Sequence, residues 1–347
     1  MIRFRQSILL IFCLALNISA WSQVGVNTSN PDNSSALDVT STTKGVLPPR
    51  MTSEQRDNIM VTTASAGLII FNTDSQVLNI FDGTKWHAIT TDSSELVCLT
   101  ATTFNEFLVC LQTNYTPNQT LGYGPARDVL YGNIDVNSST LELSCIYTDF
   151  SVVMDYSTDP DPSSHAFNQG INTEHAYPQS MGAGDEPARS DMFNIFPSRI
   201  EVNSSRSNCP YNDIIDIDTE SWFYLNQELN SVPSTNMNLY SEKDNDATYA
   251  SLQASQQCTF EPREDKKGDI ARAIFYFHAI YNASNQNTYL SYANDAFFFF
   301  MKFTLLQWHT DDPVDQEEID RNNAIKLQQG NDNPFIIDAT LASRVYN

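Results

Sequence analysis

The sequence predicts an α+β protein in which a small β-rich module precedes a larger domain of mixed strands and helices. Three observations carry this expectation. Up to about residue 90 the chain is rich in Asn, Ser, Thr and Gly and carries short apolar alternations, "GLIIFNTD" and "VLNIFDGTKW", which suit brief strands joined by turns. After "TTDSSEL" the chain becomes aromatic and heterogeneous, so that Ser/Thr/Asp stretch is the expected boundary. In the later part Ile270, Ile274, Phe277 and Tyr281 recur at helical spacing, and Ser198 with Glu201 has the S-x-x-E spacing of a capping box, which predicts a helix beginning near Arg199.

Taken in order, residues 1–22 read as a secretory signal peptide: Arg3 and Arg5, an apolar stretch from Ile8 to Leu16, then small residues at Ala20 and Ser22. Leu10, Ile11 and Phe12, just before Cys13, lack the small residues of a lipidation site, so the expected product is secreted or held at the cell surface. Residues 23–92 form the β-rich module and 93–347 the mixed domain. The apolar run Ala296–Leu306 is interrupted by Lys302 and is about half the ~20 residues of a membrane span, so it reads as a buried core segment.

The 347 residues carry a net charge of −23, which becomes −25 once Arg3 and Arg5 are removed, 17 basic residues standing against 42 acidic ones. Such an excess favours solubility and disfavours nucleic acid as a partner unless cations are gathered locally, because phosphate binding is driven by Lys and Arg displacing counterions. Arg189, Arg199, Arg206, Arg263, Lys266, Lys267 and Arg272 are such a gathering, although solvated surface charge explains any one of them equally well. Five cysteines follow the signal, Cys98, Cys110, Cys145, Cys209 and Cys258, an odd number that leaves at least one thiol over; no C-x-x-C spacing points to structural zinc.

The chemistry centres on "INTEHAYPQS", where Glu174 and His175 are adjacent. Two polar residues in a loop is the plain reading. The alternative joins them to Asn203, which falls in the first turns of the expected helix and is otherwise an ordinary exposed helix residue. Neighbours at the end of a strand point to opposite faces, so His175 can address a water while Glu174 holds a cation. Phosphodiester hydrolysis needs an activated water on one side of phosphorus and a stabilised leaving oxygen on the other. Histidine titrates near neutrality and suits the base, and a hard cation such as Mg²⁺ accepts one carboxylate and one amide oxygen while keeping several waters. Arg206, three residues beyond Asn203, is the expected phosphate contact.

The pieces "YGPARDVLYGNID", "CIYTDF", "INTEHAYPQSMGAGDEPARSDMFNIFPSRIEVNSSRSNCPY", "FEPREDKKGDIARAIFYFHAIY" and "LLQWHTDDPVDQEEIDRNNAIKLQQGNDNPF" together resemble the endonuclease I family of exported bacterial nucleases, of the His-Me finger or ββα-metal class. The resemblance covers residues 123 to 346. It implies His175 as general base, Glu174 and Asn203 as ligands of Mg²⁺ or another divalent cation such as Mn²⁺ or Ca²⁺, and largely sequence-independent cutting of DNA, with RNA as a further substrate. Phe193 stands where many members have histidine, and Cys209 where a tyrosine or another residue commonly follows "RSN". Cys209 and Cys258, each just ahead of a family segment, "PYND" and "FEPRED", are the expected disulfide.

The front module, residues 24–89, resembles one found in exported Bacteroidetes proteins and tail-fibre-like proteins, which implies homo-oligomerisation or surface display; an inactive β-rich spacer is the alternative. Two further functions stay open for the whole chain: a surface adhesin that retains a nuclease-like shell for binding, and a phosphoesterase acting on small molecules.

Overall fold

The computed structural model describes residues 23–75, 77–89, 98–157, 159–246, 257–283 and 292–347, so the expected signal peptide and the "TTDSSEL" boundary lie outside the described residues. The chain divides into two compact units between Thr91 and Asp92.

In the first unit, β1 (Val24–Val26) pairs in parallel with β2 (Leu37–Val39). A four-stranded sheet follows, built from β3 (Arg50–Met51), β4 (Ile69–Asn72), β5 (Val77–Phe81) and β6 (Trp86–Ile89) in that spatial order. The two apolar alternations supply β4 and β5. The β5–β6 turn forms because the Asp82 carboxylate accepts from the backbone N–H of Thr84 and Lys85 while Gly83 takes φ 104°, a left-handed conformation that glycine adopts without steric cost. Helix α1 (Ser53–Asp57) starts on a capping box of Thr52 and Gln55. Ile70 and Phe81 are the buried apolar residues here, and Asn72 donates to Asn79 across β4 and β5, so the interior is partly polar.

The second unit is α+β and holds the main core. Helix α2 (Phe104–Tyr115) begins on a Thr103–Glu106 capping box, α3 (Tyr123–Val129) runs into a π turn over Leu130–Ile134, and the hairpin β7 (Glu142–Ser144) and β8 (Ser151–Val153) precedes α4 (Pro162–Asn168). Next comes the antiparallel pair β9 (Ile171–His175) and β10 (Ile195–Arg199), leading without a loop into α5 (Ile200–Arg206). A second sheet has the order β12 (Gln227–Leu229), β11 (Ser221–Tyr224), β13 (Ser241–Asp244), β14 (Thr259–Glu261). Helices α6 (Lys267–Ile280), α7 (Asp295–Asp311), α8 (Gln316–Gln329), α9 (Pro334–Ile337) and α10 (Leu341–Tyr346) complete it.

Ile270, Ile274, Phe277 and Tyr281 are all buried, and α6 is covered on every side because α2, α7 and α9 pack round it. The helix expected near Arg199 is α5, but its start differs from the expectation. Arg199 is the N-cap and makes no side-chain cap bond; the Ser198 hydroxyl is turned to the Arg199 carbonyl and the Cys145 thiol, while Glu201 pairs with Arg199 Nε. Ser198 still belongs to β10, so its side chain is spent inside the sheet. The Ala296–Leu306 run also differs from a wholly buried segment: Phe297, Phe298, Met301 and Leu305 face the core, but Phe299 and Phe303 are 48% and 73% exposed on the other side of α7. Among the described residues no helix is long and apolar enough to cross a membrane.

Two disulfides form. Cys209–Cys258 is the expected one, with a sequence separation of 49, and Cys98–Cys110 joins the start of the second unit to α2. Cys145 is left as a buried free thiol. Cys209–Cys258 ties the chain leaving α5 to the entry of β14, and Tyr211 bridges to Phe260 there.

Candidate active site

Strand β9 ends on Glu174 and His175, opposite Phe196 and Ile195 of β10. Past the strand the loop is held by its own backbone: Asn194 exchanges side-chain bonds with the N–H and C=O of Tyr177, at 2.7 and 3.1 Å. Deeper in, Asp191 is fully buried and accepts from the hydroxyls of Tyr276 and Tyr281, each at 2.8 Å, and from Gln329 at 3.1 Å. The returning chain is therefore anchored to α6 and α8, and that fixes where β10 can pair with β9.

The period-2 geometry of the strand separates the two residues. Glu174 is 1% exposed, and its Oε1 accepts from the Tyr147 hydroxyl and from Arg206 Nη1, both at 2.8 Å. Tyr211 lies 2.6 Å from the Tyr147 oxygen. A phenol has one proton and a carboxylate can only accept, so Tyr147 donates to Glu174 and Tyr211 donates to Tyr147. Burial pushes the Glu174 pKa up, while Arg206 and the Tyr147 hydroxyl pull it back toward the ionised form.

His175 turns the other way. Its Nε2 is 2.9 Å from the Arg189 carbonyl, which can only accept, so the ring carries its proton on Nε2 and keeps a lone pair on Nδ1. The Gln179 amide donates to that lone pair at 3.3 Å. Burial, with smaller contributions from the charges of Arg189, Arg206 and Arg127, lowers the His175 pKa to about 4, so the imidazole is neutral at neutral pH and Nδ1 carries no proton. The Tyr123 ring stacks on the imidazole at 5.5 Å, and the guanidiniums of Arg127 and Arg189 each lie 4.5 Å from the Tyr123 centroid.

Helix α5 brings Asn203 against the same strand. Its amide nitrogen donates to the Thr173 carbonyl and to Asn172 Oδ1, each at 2.9 Å, which orients the side chain and leaves Oδ1 as the amide's acceptor. Glu174 Oε2 has no hydrogen-bond partner among the described residues. A carboxylate oxygen and an amide oxygen on adjoining elements fit a hard divalent cation that keeps part of its water shell. No group of three His, Cys, Asp or Glu able to hold a metal occurs among the described residues, so any cation here depends on this smaller oxygen set.

Arg206 contradicts the expectation of a phosphate contact. It is 1% exposed and spends its donors on Glu174, on the His175 carbonyl at 3.1 Å and on the Ala176 carbonyl at 2.8 Å, with its guanidinium 4.5 Å over the Tyr211 ring. The wider cation gathering is likewise consumed by carboxylates. Arg199 pairs with Glu201, Arg263 with Asp149 and Asp265, Lys266 with Asp269 and Glu317, Lys267 with Glu261 and Glu264, and Arg272 with Glu318. Arg189 alone of that set reaches the His175 side. Phe193 packs edge-on against Tyr276 at 5.0 Å and takes no part in the site. His165 accepts from the Asp155 N–H, and His278 sits between Tyr346 and Asp295, so both are packed structural histidines.

Tyr147 and Tyr211 gave no signal in the sequence, since Tyr147 reaches Glu174, and Tyr211 reaches Tyr147, only through tertiary pairing. Tyr123 and Arg127 gave a faint one: four residues apart, they share one face of a helix.

The endonuclease I family model matches residues 103–340. Residues 25–105 match a phage tail like trimerisation region. Among curated proteins the chain is 28% identical over 184 residues to an extracellular ribonuclease of Bacillus subtilis (strain 168), covering 50% of this chain and 54% of the relative. It is 29% identical over 183 residues to an extracellular ribonuclease of Bacillus amyloliquefaciens, covering 50% and 53%. The chain thus spans about half the length of the curated relatives it matches. Since the family match takes in every element from α2 to α9, including the β9–β10–α5 unit that carries Glu174, His175 and Asn203, the chain belongs to the endonuclease I family.

Proposed function

We propose that this protein is an exported, divalent-metal-dependent endonuclease that hydrolyses phosphodiester bonds of DNA, and of RNA as well, through a His-Me finger formed by β9, β10 and α5. One observation carries the reading: His175 is held as a neutral base with Nδ1 unprotonated, on the strand residue next to a buried carboxylate. In the reaction His175 Nδ1 takes a proton from the attacking water, and the Arg189 carbonyl, accepting from Nε2, stabilises the imidazolium that results. Glu174 and Asn203 would hold the cation, Mg²⁺ being the natural choice for such a set. When bound, it supplies positive charge for the phosphate and the leaving oxygen. Arg206 and Tyr147 act by orienting Glu174. Cleavage of RNA is supported by likeness to two extracellular ribonucleases, whose names also support export together with the signal-like start. The match to a trimerisation region supports self-association through the front unit.

The test is nicking of supercoiled plasmid and cutting of a structured RNA with Mg²⁺ and with excess chelator, beside a small phosphate diester. Under single-turnover conditions His175→Ala should slow cleavage by ~10² to 10⁴ without changing metal affinity. Glu174→Ala and Asn203→Ala should weaken metal binding and regain part of their activity at high Mg²⁺. Cleavage indifferent to chelator, or turnover confined to the small diester, would overturn the proposal.

A further inference from the structure

We infer that Tyr123, Arg127 and Arg189 form an anion clamp that seats a backbone phosphate of the nucleic acid beside His175. This deepens the proposed function and rests on it.

The second unit contains eight arginines. Six of them, Arg199, Arg206, Arg263, Arg272, Arg321 and Arg344, are each ion-paired with a carboxylate. Arg127 and Arg189 have no carboxylate within ion-pair reach among the described residues, and these two come together on a single ring, Tyr123, at 4.5 Å each. In a chain with net charge −23, carboxylates are abundant, so the lack of one within ion-pair reach of either guanidinium among the described residues is a feature of the site. Arg189 Nε is buried and has no hydrogen-bond partner. Two like charges held against one aromatic ring repel each other, and cation–π attraction only partly offsets this. A phosphate removes the repulsion and meets the planar guanidinium forks with paired acceptor oxygens.

The framework round the clamp is already fixed. Arg127 Nε donates to the Tyr123 carbonyl at 3.3 Å, one helical turn back in α3, and the Arg189 carbonyl is the group that holds His175 Nε2. The same residue thus orients the base through its backbone and offers its side chain to the anion. The Tyr123 ring also stacks on the imidazole, at 5.5 Å between centroids, so the group that gathers the two guanidiniums is in contact with the base. The chemistry of the clamp reads backbone and not sequence, as phosphate contacts do.

The experiment is fluorescence anisotropy with a fluorescein-labelled DNA duplex and the full-length protein, in chelator so that no cleavage occurs, over a series of salt concentrations. If each arginine engages a phosphate, Arg127→Gln and Arg189→Gln should weaken binding and lower the slope of log affinity against log salt by about 0.9 each. Arg127→Lys, which keeps the charge, should restore the slope. Thermal midpoints of the variants separate loss of the clamp from loss of the fold. A protein that cleaves normally while all three variants keep the parental slope refutes the clamp and leaves the nuclease proposal standing. Parental binding with the expected slopes but no cleavage on restoring metal refutes the nuclease proposal and leaves the clamp. A parent that binds no duplex at any salt concentration refutes the clamp.

Discussion

Replacing Arg206 with methionine should destabilise the second unit strongly, because it removes the partner that orients Glu174. The guanidinium is buried, and it is the charged partner of Glu174 as well as a donor to the carbonyls of His175 and Ala176. Methionine fills much of the same volume, so the change is electrostatic more than steric. It strands a carboxylate that is 1% exposed, a loss of about 3 to 5 kcal/mol for breaking one side of a buried pair. The two carbonyls would each lose about 1 to 3 kcal/mol if isolated, but they share the same donor, so the contributions overlap and the total stays near the upper end of the pair value. Set against a total stability of ~5 to 15 kcal/mol, this is a large fraction, and for a unit of this size it lowers the thermal midpoint by roughly 10 °C. The assay is chemical and thermal denaturation of Arg206→Met, Glu174→Gln and the double variant. Neutralising Glu174 in the Arg206→Met background should recover part of the loss, giving a coupling of about 0.5 to 3 kcal/mol. If Arg206→Met instead keeps the parental midpoint and only weakens affinity for nucleic acid, Arg206 is a phosphate contact and the reasoning is refuted.

Three further outcomes are expected. Cys209→Ser with Cys258→Ser should lower stability by on the order of 4 kcal/mol, from the 49-residue separation the bridge spans, and should loosen Tyr211 and hence Glu174; an unchanged denaturation midpoint would contradict this. Glu242 is buried beside the Thr219 hydroxyl, and burial, with the charges of Glu261 and Asp216, raises its pKa from 4.5 to about 8. Between those values the folded chain holds a proton that the unfolded chain releases, so stability falls as pH rises through that window; Glu242→Gln should flatten the fall and be more stable than the parent at pH above about 8, by thermal melts across pH. Deleting residues 23–91 should leave nicking within a few-fold of the parent and change the mass in solution by light scattering, because the second unit has its own core; a folded but inactive product would show that the front unit shapes the site.

Much of the site was legible because its logic is local. The Glu174–His175 pair sits on a strand, and adjacent strand residues must diverge, so an imidazole on one side and a carboxylate on the other follow from order alone. A helix after "FPSR" follows from the residues that come next, even though its cap is made differently from the S-x-x-E reading, because Ser198 is still in β10. The central helix was legible from the helical spacing of Ile270, Ile274, Phe277 and Tyr281, although α6 is buried on every side and not on that face alone.

The fate of the cations was not legible. Asn203 and Arg206 are three residues apart and must share a face of α5, yet whether that face meets solvent or a buried carboxylate is decided by how α5 docks on β9, which brings Arg206 to Glu174 across 32 residues of sequence. In a chain this acidic, each basic residue has several carboxylates to choose from, and only packing selects among them. Arg127 and Arg189 have no ion pair among the described residues for the same reason: α3 and the loop after β9 converge on Tyr123, so the meeting of these two guanidiniums is a property of the tertiary contacts.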